Sequence, residues 1–123
     1  MSKGRILLIG GDPDVFRTLR IYLSAHQFSV QVVSQGDEAL AACRQLPPHA
    51  VILDPRLPDM SGYDLCRQLR SDERMGDSFI LALLFADDRE AKLAVLEAGA
   101  DDVMTHPVDF EELRLRIEGA LSR

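Results

Sequence analysis

The sequence predicts an α/β fold in which helices cover both faces of a five-stranded parallel sheet. Short apolar runs of strand length alternate along the chain with segments that carry apolar residues at helical spacing. The runs hold few polar residues, which is typical of strands buried on both faces. The 123 residues are enough for one domain with a sizeable core, and residues 1–123 are predicted to form a single domain.

The first strand and the first helix are indicated by adjacent signals. Ile6–Ile9 is apolar throughout. Asp12 then stands where an aspartate caps a helix, ahead of Pro13 at the first helical position. The apolar stripe of this helix consists of Val15, Phe16, Leu19, Tyr22 and Leu23.

The middle of the chain repeats the alternation of strand and helix. Val30–Val33 predicts the second strand, and a helix follows from about Gly36 to Gln45 until Pro47 and Pro48 stop it. Ala50–Leu53 predicts the third strand. The third helix is expected after Gly62, where apolar residues return at helical spacing.

The last third of the chain supplies two more strands and two more helices. Phe79–Leu84 predicts the fourth strand, and a helix is expected from about Asp87 to Ala98. Val103–Thr105 predicts the fifth strand. Asp109 is placed to cap the last helix, and Glu112, three residues later, predicts a capping box.

Five such units fit a doubly wound, flavodoxin-like sheet with the strand order 2-1-3-4-5. Ligands of these sheets bind beyond the carboxyl ends of the central strands, where the strand order reverses. The loops that reach this edge are residues 10–14, 54–62, 85–88 and 106–107. A functional site is therefore expected among these four loops.

Charge and composition exclude several classes of function. The formal net charge is -6 and the basic residues form no patch, which predicts no binding to nucleic acid. The longest apolar run, Phe79–Ala86, is too short to cross a bilayer, so we expect no membrane span and a cytoplasmic protein. Cys43 and Cys66 are predicted to be buried thiols. No nucleophile elbow or catalytic triad pattern is present, so no enzyme is predicted.

The segment Val51–Gly62, which reads VILDPRLPDMSG, resembles the third-strand segment of response regulator receiver domains, the phosphoacceptor modules of bacterial two-component signalling. In both, an aspartate ends an apolar strand, and Leu-Pro and Met-x-Gly follow at fixed offsets. Ala98–Asp102 and His106-Pro107 are similar to the end of the fourth helix and the Lys-Pro of that family. The resemblance covers nearly the whole chain, and it implies that Asp54 holds the phosphoacceptor position.

The resemblance also implies a set of groups around Asp54 that this chain lacks. Receiver domains hold magnesium with an acidic pair after the first strand, and bind the phosphoryl group with a hydroxyl residue and a lysine after the fourth and fifth strands. These positions here hold Gly10 and Gly11, Leu84, and His106. Glycine has no side-chain oxygen, leucine cannot donate a hydrogen bond, and histidine is a weaker phosphate partner than lysine.

Three further residues distinguish the expected site. Val103 stands where the family has a switching aromatic residue, and Phe85 stands where it has a small one, so the Phe85 ring is expected to cover the mouth of the pocket. Arg56 follows Asp54 by two residues. We hypothesise that its guanidinium folds over the pocket and neutralises Asp54 in place of a metal. The alternative is that Arg56 lies in solvent without a specific partner.

The sequence therefore predicts a degenerate receiver domain that acts as a phosphorylation-independent protein-interaction module and needs no cofactor. One alternative is a receiver that still accepts phosphate at Asp54, with Asp12 and His106 as replacements and with Mg²⁺ held weakly by Asp12 and Asp54. Another is a small flavodoxin-like domain that binds a nucleotide or flavin beside Gly10 and Gly11. Measurable magnesium affinity would favour the receiver that still accepts phosphate. Visible absorbance of the purified protein would favour the flavin-binding domain.

Protein partners are expected, rather than nucleic acid or membranes. The resemblance implies that a histidine kinase, an output domain or a second copy of the chain binds through the face built by the fourth helix, the fifth strand and the fifth helix. The candidate polar residues of this face are Arg89, Lys92, Glu97, Glu111, Arg114 and Glu118. A plain solvated surface is the alternative interpretation, because charged helix faces need no partner.

Overall fold

The computed structural model describes residues 2–123, and in that range it contains five strands, five α-helices and one short 3₁₀ helix. The strands are β1 (Arg5–Ile9), β2 (Ser29–Val33), β3 (Ala50–Leu53), β4 (Phe79–Leu84) and β5 (Asp102–Thr105). The α-helices are α1 (Pro13–Ala25), α2 (Gly36–Gln45), α3 (Gly62–Ser71), α4 (Arg89–Glu97) and α5 (Phe110–Leu121). The 3₁₀ helix, Glu73–Met75, lies between α3 and β4.

All five strands form one parallel sheet in the order β2-β1-β3-β4-β5, which confirms the predicted fold class. Three of the strands, β1, β2 and β5, begin one residue earlier than the apolar runs predict. Arg5 pairs with Ser29, and Asp102 pairs with Leu81, so the ladder extends through polar residues. Backbone hydrogen bonding, rather than side-chain hydrophobicity, sets where these strands begin.

Burial separates the central strands from the edge of the sheet. Every residue of β3 is buried, as are Ile6–Ile9 and Ile80–Leu84. In β2, by contrast, Ser29, Gln31 and Val32 are exposed. The prediction that all strands are covered on both faces is therefore wrong for β2, because the helices cover this edge strand only in part.

The core consists of two layers, one on each face of the sheet. One layer packs α2, α3 and α4 against the side chains of Leu7, Ile9, Val51, Leu53 and their neighbours. The other packs α1 and α5 against Ile6, Leu8, Ile52 and Leu83. Both cysteines are buried in the first layer, as their positions on apolar helix faces predict.

Aspartates begin three of the α-helices by accepting hydrogen bonds from backbone N–H groups. Asp12 Oδ1 accepts from Asp14 at 2.8 Å and from Val15 at 3.2 Å, as predicted. Asp88 caps α4, which therefore begins at Arg89, two residues later than expected.

Asp109 caps α5 by accepting from the N–H of Glu112 at 3.1 Å. The Glu112 carboxylate pairs with Arg116 at 3.0 Å, so among residues 2–123 only the first half of the predicted capping box is formed. None of the helices in this described range has both the length and the apolar character that a membrane span requires.

Candidate functional site

Asp54 directly follows β3, at the edge of the sheet where the carboxyl ends of the strands meet. Its side chain is only 1% exposed, and its N–H donates to the carbonyl of Ile9 at 3.0 Å, which joins it to the end of β1. A cavity of about 650 Å³ opens beside it, which we call the Asp54 pocket. The pocket is lined by Gly11, Asp12, Val15, Asp54, Arg56, Phe85, His106 and Pro107.

Arg56 binds both oxygens of the Asp54 carboxylate. Its Nη2 donates to Oδ2 at 2.9 Å and its Nε donates to Oδ1 at 3.2 Å, while its backbone N–H donates to Oδ1 at 2.9 Å. The hydrogen bond to Asp54 raises the pKa of the Arg56 guanidinium. A buried carboxylate is thus neutralised by a cation supplied two residues away, in the two-pronged geometry that arginine favours.

Phe85 and His106 form the far side of the pocket. The guanidinium carbon of Arg56 lies 4.5 Å from the centroid of the Phe85 ring, within cation–π distance. The Phe85 ring lies 6.0 Å from the His106 ring, measured between centroids. The peptide bond between His106 and Pro107 is cis. Phe85 thus contacts the cation that neutralises Asp54.

The turn between β1 and α1 is built on two glycines with positive φ. Gly10 has a φ of +76° and Gly11 a φ of +79°, a region that residues with a Cβ rarely adopt. A Cβ at Gly10 would lie 2.7 Å from Leu57 Cδ2, and a Cβ at Gly11 would lie 2.7 Å from the Phe16 ring. In this backbone conformation a side chain at either position would be strained and would contact its neighbours closely.

The groups around Asp54 do not fit a magnesium ion. Magnesium requires oxygen ligands in near-octahedral geometry, and Gly10 and Gly11 supply none from their side chains. Asp12 uses Oδ1 to cap α1, and both oxygens of Asp54 are bound by Arg56. Within residues 2–123, no group of three or more His, Cys, Asp or Glu side chains is arranged to hold a metal ion.

The structure brings most of the residues singled out in the sequence into one pocket, with two exceptions. Leu84 is buried at the end of β4 and does not line the pocket, because its apolar side chain packs away from solvent. Gly10 does not line it either, and its N–H donates to the carbonyl of Val33 at 2.9 Å. Val15 is a lining residue that the sequence indicated only as part of an apolar stripe.

The polar residues predicted on the α4 and α5 face do not all lie there. Arg114 Nε donates to Tyr22 Oη of α1 at 3.0 Å, and Arg114 Nη1 pairs with Glu118 at 3.2 Å. Glu118 also pairs with Lys3 at 3.1 Å. The assignment of Arg114 and Glu118 to the α4 side is therefore wrong, because residues four apart share one side of a helix and this side faces α1.

The side of α5 nearest α4 carries Arg116 instead. Its Nη1 donates to both oxygens of Asp102 in β5 at 2.8 Å, and its Nη2 pairs with Glu112. Lys92 of α4 pairs with Asp87. A cavity of about 290 Å³ between α4, β5 and α5 is lined by residues that include Lys92, Val103 and Arg116. Three of the remaining predicted residues, Arg89, Glu97 and Glu111, are exposed.

The sheet order and the buried aspartate after β3 define a receiver-type domain, the class that the sequence resembles. The chain belongs to the response regulator receiver domain family, whose pattern matches residues 6–118. This confirms the family membership inferred from the segment around Asp54.

Similar proteins support the same family. The response regulator MprA of Mycobacterium leprae is 40% identical over 120 residues, which cover 97% of this chain and 51% of that protein. The DNA-binding dual master transcriptional regulator RpaA of Synechocystis is 35% identical over 97% of this chain and 49% of that protein. The crystal structure of a putative response regulator from Chloroflexus aurantiacus matches with a TM-score of 0.92 and 32% identity over 98% of both chains. The chain spans about half the length of the curated relatives that it matches.

Proposed function

We propose that this chain is a degenerate receiver domain, a module of two-component signalling that binds protein partners without regulated phosphorylation of Asp54. The observation that carries the proposal is the hydrogen bonding of Arg56 to both oxygens of the buried Asp54 carboxylate. The guanidinium supplies a permanent positive charge at a place where receiver domains use a magnesium ion.

The chemistry of phosphorylation supports this interpretation. A carboxylate that attacks a phosphoryl group needs a free oxygen, and the added negative charge needs donors or cations arranged around it. Here both Asp54 oxygens are already hydrogen bonded. Leu84, at the end of β4, has no hydroxyl to donate a hydrogen bond to a phosphoryl group, and His106 replaces the lysine after β5. A site with these residues lacks the groups that would bind the transferred phosphate.

The partners that we propose are proteins of the same signalling system, in the cytoplasm. Several relatives are DNA-binding regulators of about twice this length, so we infer that the partner is a histidine kinase, an output domain or a second copy of the chain. Leu93 and Leu96 of α4 and Leu115 of α5 are exposed, which supports an interaction surface on these helices. The net charge of -6 disfavours nucleic acid as a direct ligand of this domain.

Intact-protein mass spectrometry after incubation with acetyl phosphate tests the proposal. Wild-type protein and an Asp54→Asn variant are compared, each with and without Mg²⁺. We expect no phosphoryl adduct in any sample. An adduct that requires both Mg²⁺ and Asp54 would overturn the proposal, and it would favour the alternative in which Asp12 and His106 replace the missing groups.

Two simple measurements test the remaining alternatives. Asp12 and His106 line the same pocket as Asp54, so Asp12→Asn and His106→Ala would each weaken an adduct if the alternative phosphoacceptor site operated. A visible absorbance spectrum of the purified protein would reveal bound flavin beside Gly11. We expect a spectrum without flavin bands, because Asp12 at the start of α1 repels a phosphate group.

A further inference from the structure

Phe85 is an aromatic residue in an exposed position that contacts one particular cation. Its side chain is 65% exposed, although burial of a phenylalanine is normally favourable. The Arg56 guanidinium lies over its ring at 4.5 Å, while the Nε and Nη2 groups of the same guanidinium bind Asp54. The edge of the guanidinium thus binds the carboxylate and its face contacts the ring, which are the two interactions that a planar cation makes best.

A second Asp-x-Arg pair, Asp72 and Arg74, forms the same hydrogen bonds without an aromatic ring against the arginine. Arg74 binds Asp72 through its backbone N–H at 2.9 Å, its Nε at 3.1 Å and its Nη2 at 2.9 Å, nearly the same three distances as in the Asp54 pair. The Arg74 side chain is 56% exposed and that of Arg56 is 57% exposed. Of these two arginines, only Arg56 has an aromatic ring against its guanidinium within the described part of the chain.

We propose that Phe85 is the positioning residue that holds Arg56 on Asp54, and that Arg56 and Phe85 together close the Asp54 carboxylate to water and to phosphodonors. This inference rests on the proposed function, and it adds a residue from the loop between β4 and α4 that regulates access to the site. The role depends on the charge distribution of the ring, since a cation is attracted to the face of an aromatic ring and not to an aliphatic side chain of similar size.

The burial of Asp54 explains why such a residue matters here. With Arg56 in place the carboxylate is 1% exposed, and without the guanidinium it would keep one hydrogen bond, from the Arg56 backbone N–H, so its charge would be poorly compensated. Arg56 itself is largely exposed and would otherwise exchange readily between Asp54 and water. A ring against the face of its guanidinium reduces that exchange by adding contact on the solvent side. Phe85 in turn lies 6.0 Å from the His106 ring, which borders the same pocket.

Hydrogen exchange of the Arg56 Nε–H, followed by NMR, tests the role of Phe85. The variants are Phe85→Ala, Phe85→Leu, which keeps the bulk, and Phe85→Tyr, which keeps the ring face. We expect Ala and Leu to accelerate exchange about two- to fivefold, the factor that corresponds to a cation–π energy of about 0.5–1 kcal/mol, and Tyr to restore the wild-type rate. The Nε–H of Arg74, observed in the same spectra, serves as the internal control and is expected to be unchanged.

The outcomes separate this inference from the proposed function. Exchange in Phe85→Leu as slow as in wild type, or equal acceleration at Arg56 and Arg74, would overturn the role of the ring. A thermal melt of each variant checks that the fold is intact, which the exposure of Phe85 leads us to expect. A wild-type protein that forms a phosphoryl adduct would overturn the proposed function, whatever the exchange rates are.

Discussion

The ring of Phe16 lies where the side chain of residue 11 would begin. A Cβ at Gly11 would come within 2.7 Å of two ring carbons of this buried phenylalanine in α1. The turn that precedes α1 therefore has its present conformation only because residue 11 has no side chain. Replacing the glycines with aspartates supplies carboxylates, but it does not by itself supply the backbone that would present them to a metal.

Gly10→Asp and Gly11→Asp are expected to destabilise the protein without producing a magnesium site. Each aspartate would have a positive φ, which strains a residue that carries a Cβ, and the close contacts add to this loss. Urea denaturation measures the stability, and calorimetric titration with Mg²⁺ measures binding. Stable variants that bind Mg²⁺ would show that the turn relaxes easily into a metal-binding form.

Gly119→Ala provides a matched control for these glycine variants. Gly119 lies inside α5, and outside its own helical backbone and its chain neighbours nothing lies within 4 Å of its prospective Cβ. Alanine is favoured over glycine in a helix interior, so this variant is expected to be more stable than wild type by about 0.5–1 kcal/mol. A destabilised Gly119→Ala would mean that replacing a glycine lowers the stability of this protein even where the new side chain has no close contact.

Arg56→Ala is expected to lower the free energy of unfolding by about 1–3 kcal/mol, the usual effect of leaving a buried polar group without its partner. The variant removes two of the three hydrogen bonds to Asp54, and the backbone hydrogen bond remains. Urea denaturation at neutral pH provides the measurement. The effect should be smaller when Asp54→Asn is also present, because the buried group that loses its partner is then uncharged.

Arg74→Ala is the control for the effect of Arg56. The two arginines make the same hydrogen bonds to an aspartate two residues earlier, but Asp72 is partly exposed whereas Asp54 is buried. Water can replace Arg74, so the loss of stability is expected to be clearly smaller. Equal losses for the two variants would contradict the view that burial of Asp54 makes its pairing with Arg56 important.

Asp59 is expected to make stability depend on pH. Its Oδ1 accepts from the N–H of Gly36 at 2.8 Å and its Oδ2 accepts from Asp37 at 3.0 Å, and these bonds lower the pKa of the Asp59 carboxyl. A carboxyl with a lowered folded-state pKa stabilises the fold above its unfolded pKa, and this contribution is lost as the pH falls through the folded value. The difference in stability between wild type and Asp59→Asn should therefore be largest above pH 3.8, the ordinary value, and should shrink below it.

Chemical denaturation at a series of pH values measures this difference. Asp77→Asn serves as the control, since Asp77 makes no side-chain hydrogen bond or ion pair within the described part of the chain. If the difference in stability between wild type and Asp59→Asn does not vary with pH, the two hydrogen bonds do not depend on the charge of Asp59.

The two thiols are expected to resist alkylation while the protein is folded. Cys43 and Cys66 are buried, and burial raises the pKa of both, that of Cys43 to about 11. Little reactive thiolate is therefore present at neutral pH, and the reagent has no access. Mass spectrometry after treatment with iodoacetamide, with and without urea, is expected to show two adducts only in urea. Rapid modification in the native state would reveal local opening of the helices α2 or α3.

The fold was predictable from the sequence because its signals are local. Apolar runs such as Ala50–Leu53 indicate buried strands, and Asp12 and Asp109 mark helix starts through hydrogen bonds within a few residues. The starts of β1 and β5 were harder to predict from the sequence. Arg5 and Asp102 are polar, and they join the sheet by pairing with the backbone of a neighbouring strand.

The site was predictable only in part. The contact between Arg56 and Asp54 could be predicted because the two residues are only two positions apart in the sequence. The position of Phe85 over Arg56 depends on how two loops from different strands meet, and no local pattern encodes that distance. The same holds for Gly11, where the sequence indicates the missing oxygen, while the positive φ and the neighbouring Phe16 ring depend on how α1 packs.

An NMR titration of the Arg56 Nε–H signal with millimolar Mg²⁺ tests most directly whether Arg56 or a metal ion neutralises Asp54. If Arg56 neutralises Asp54 in place of a metal, the signal will be protected from exchange and will not move as Mg²⁺ is added, in parallel with the signal of Arg74. A saturable shift of the Arg56 signal alone, abolished by Asp54→Asn, would show that magnesium displaces the guanidinium, and Arg56 would then not replace the metal.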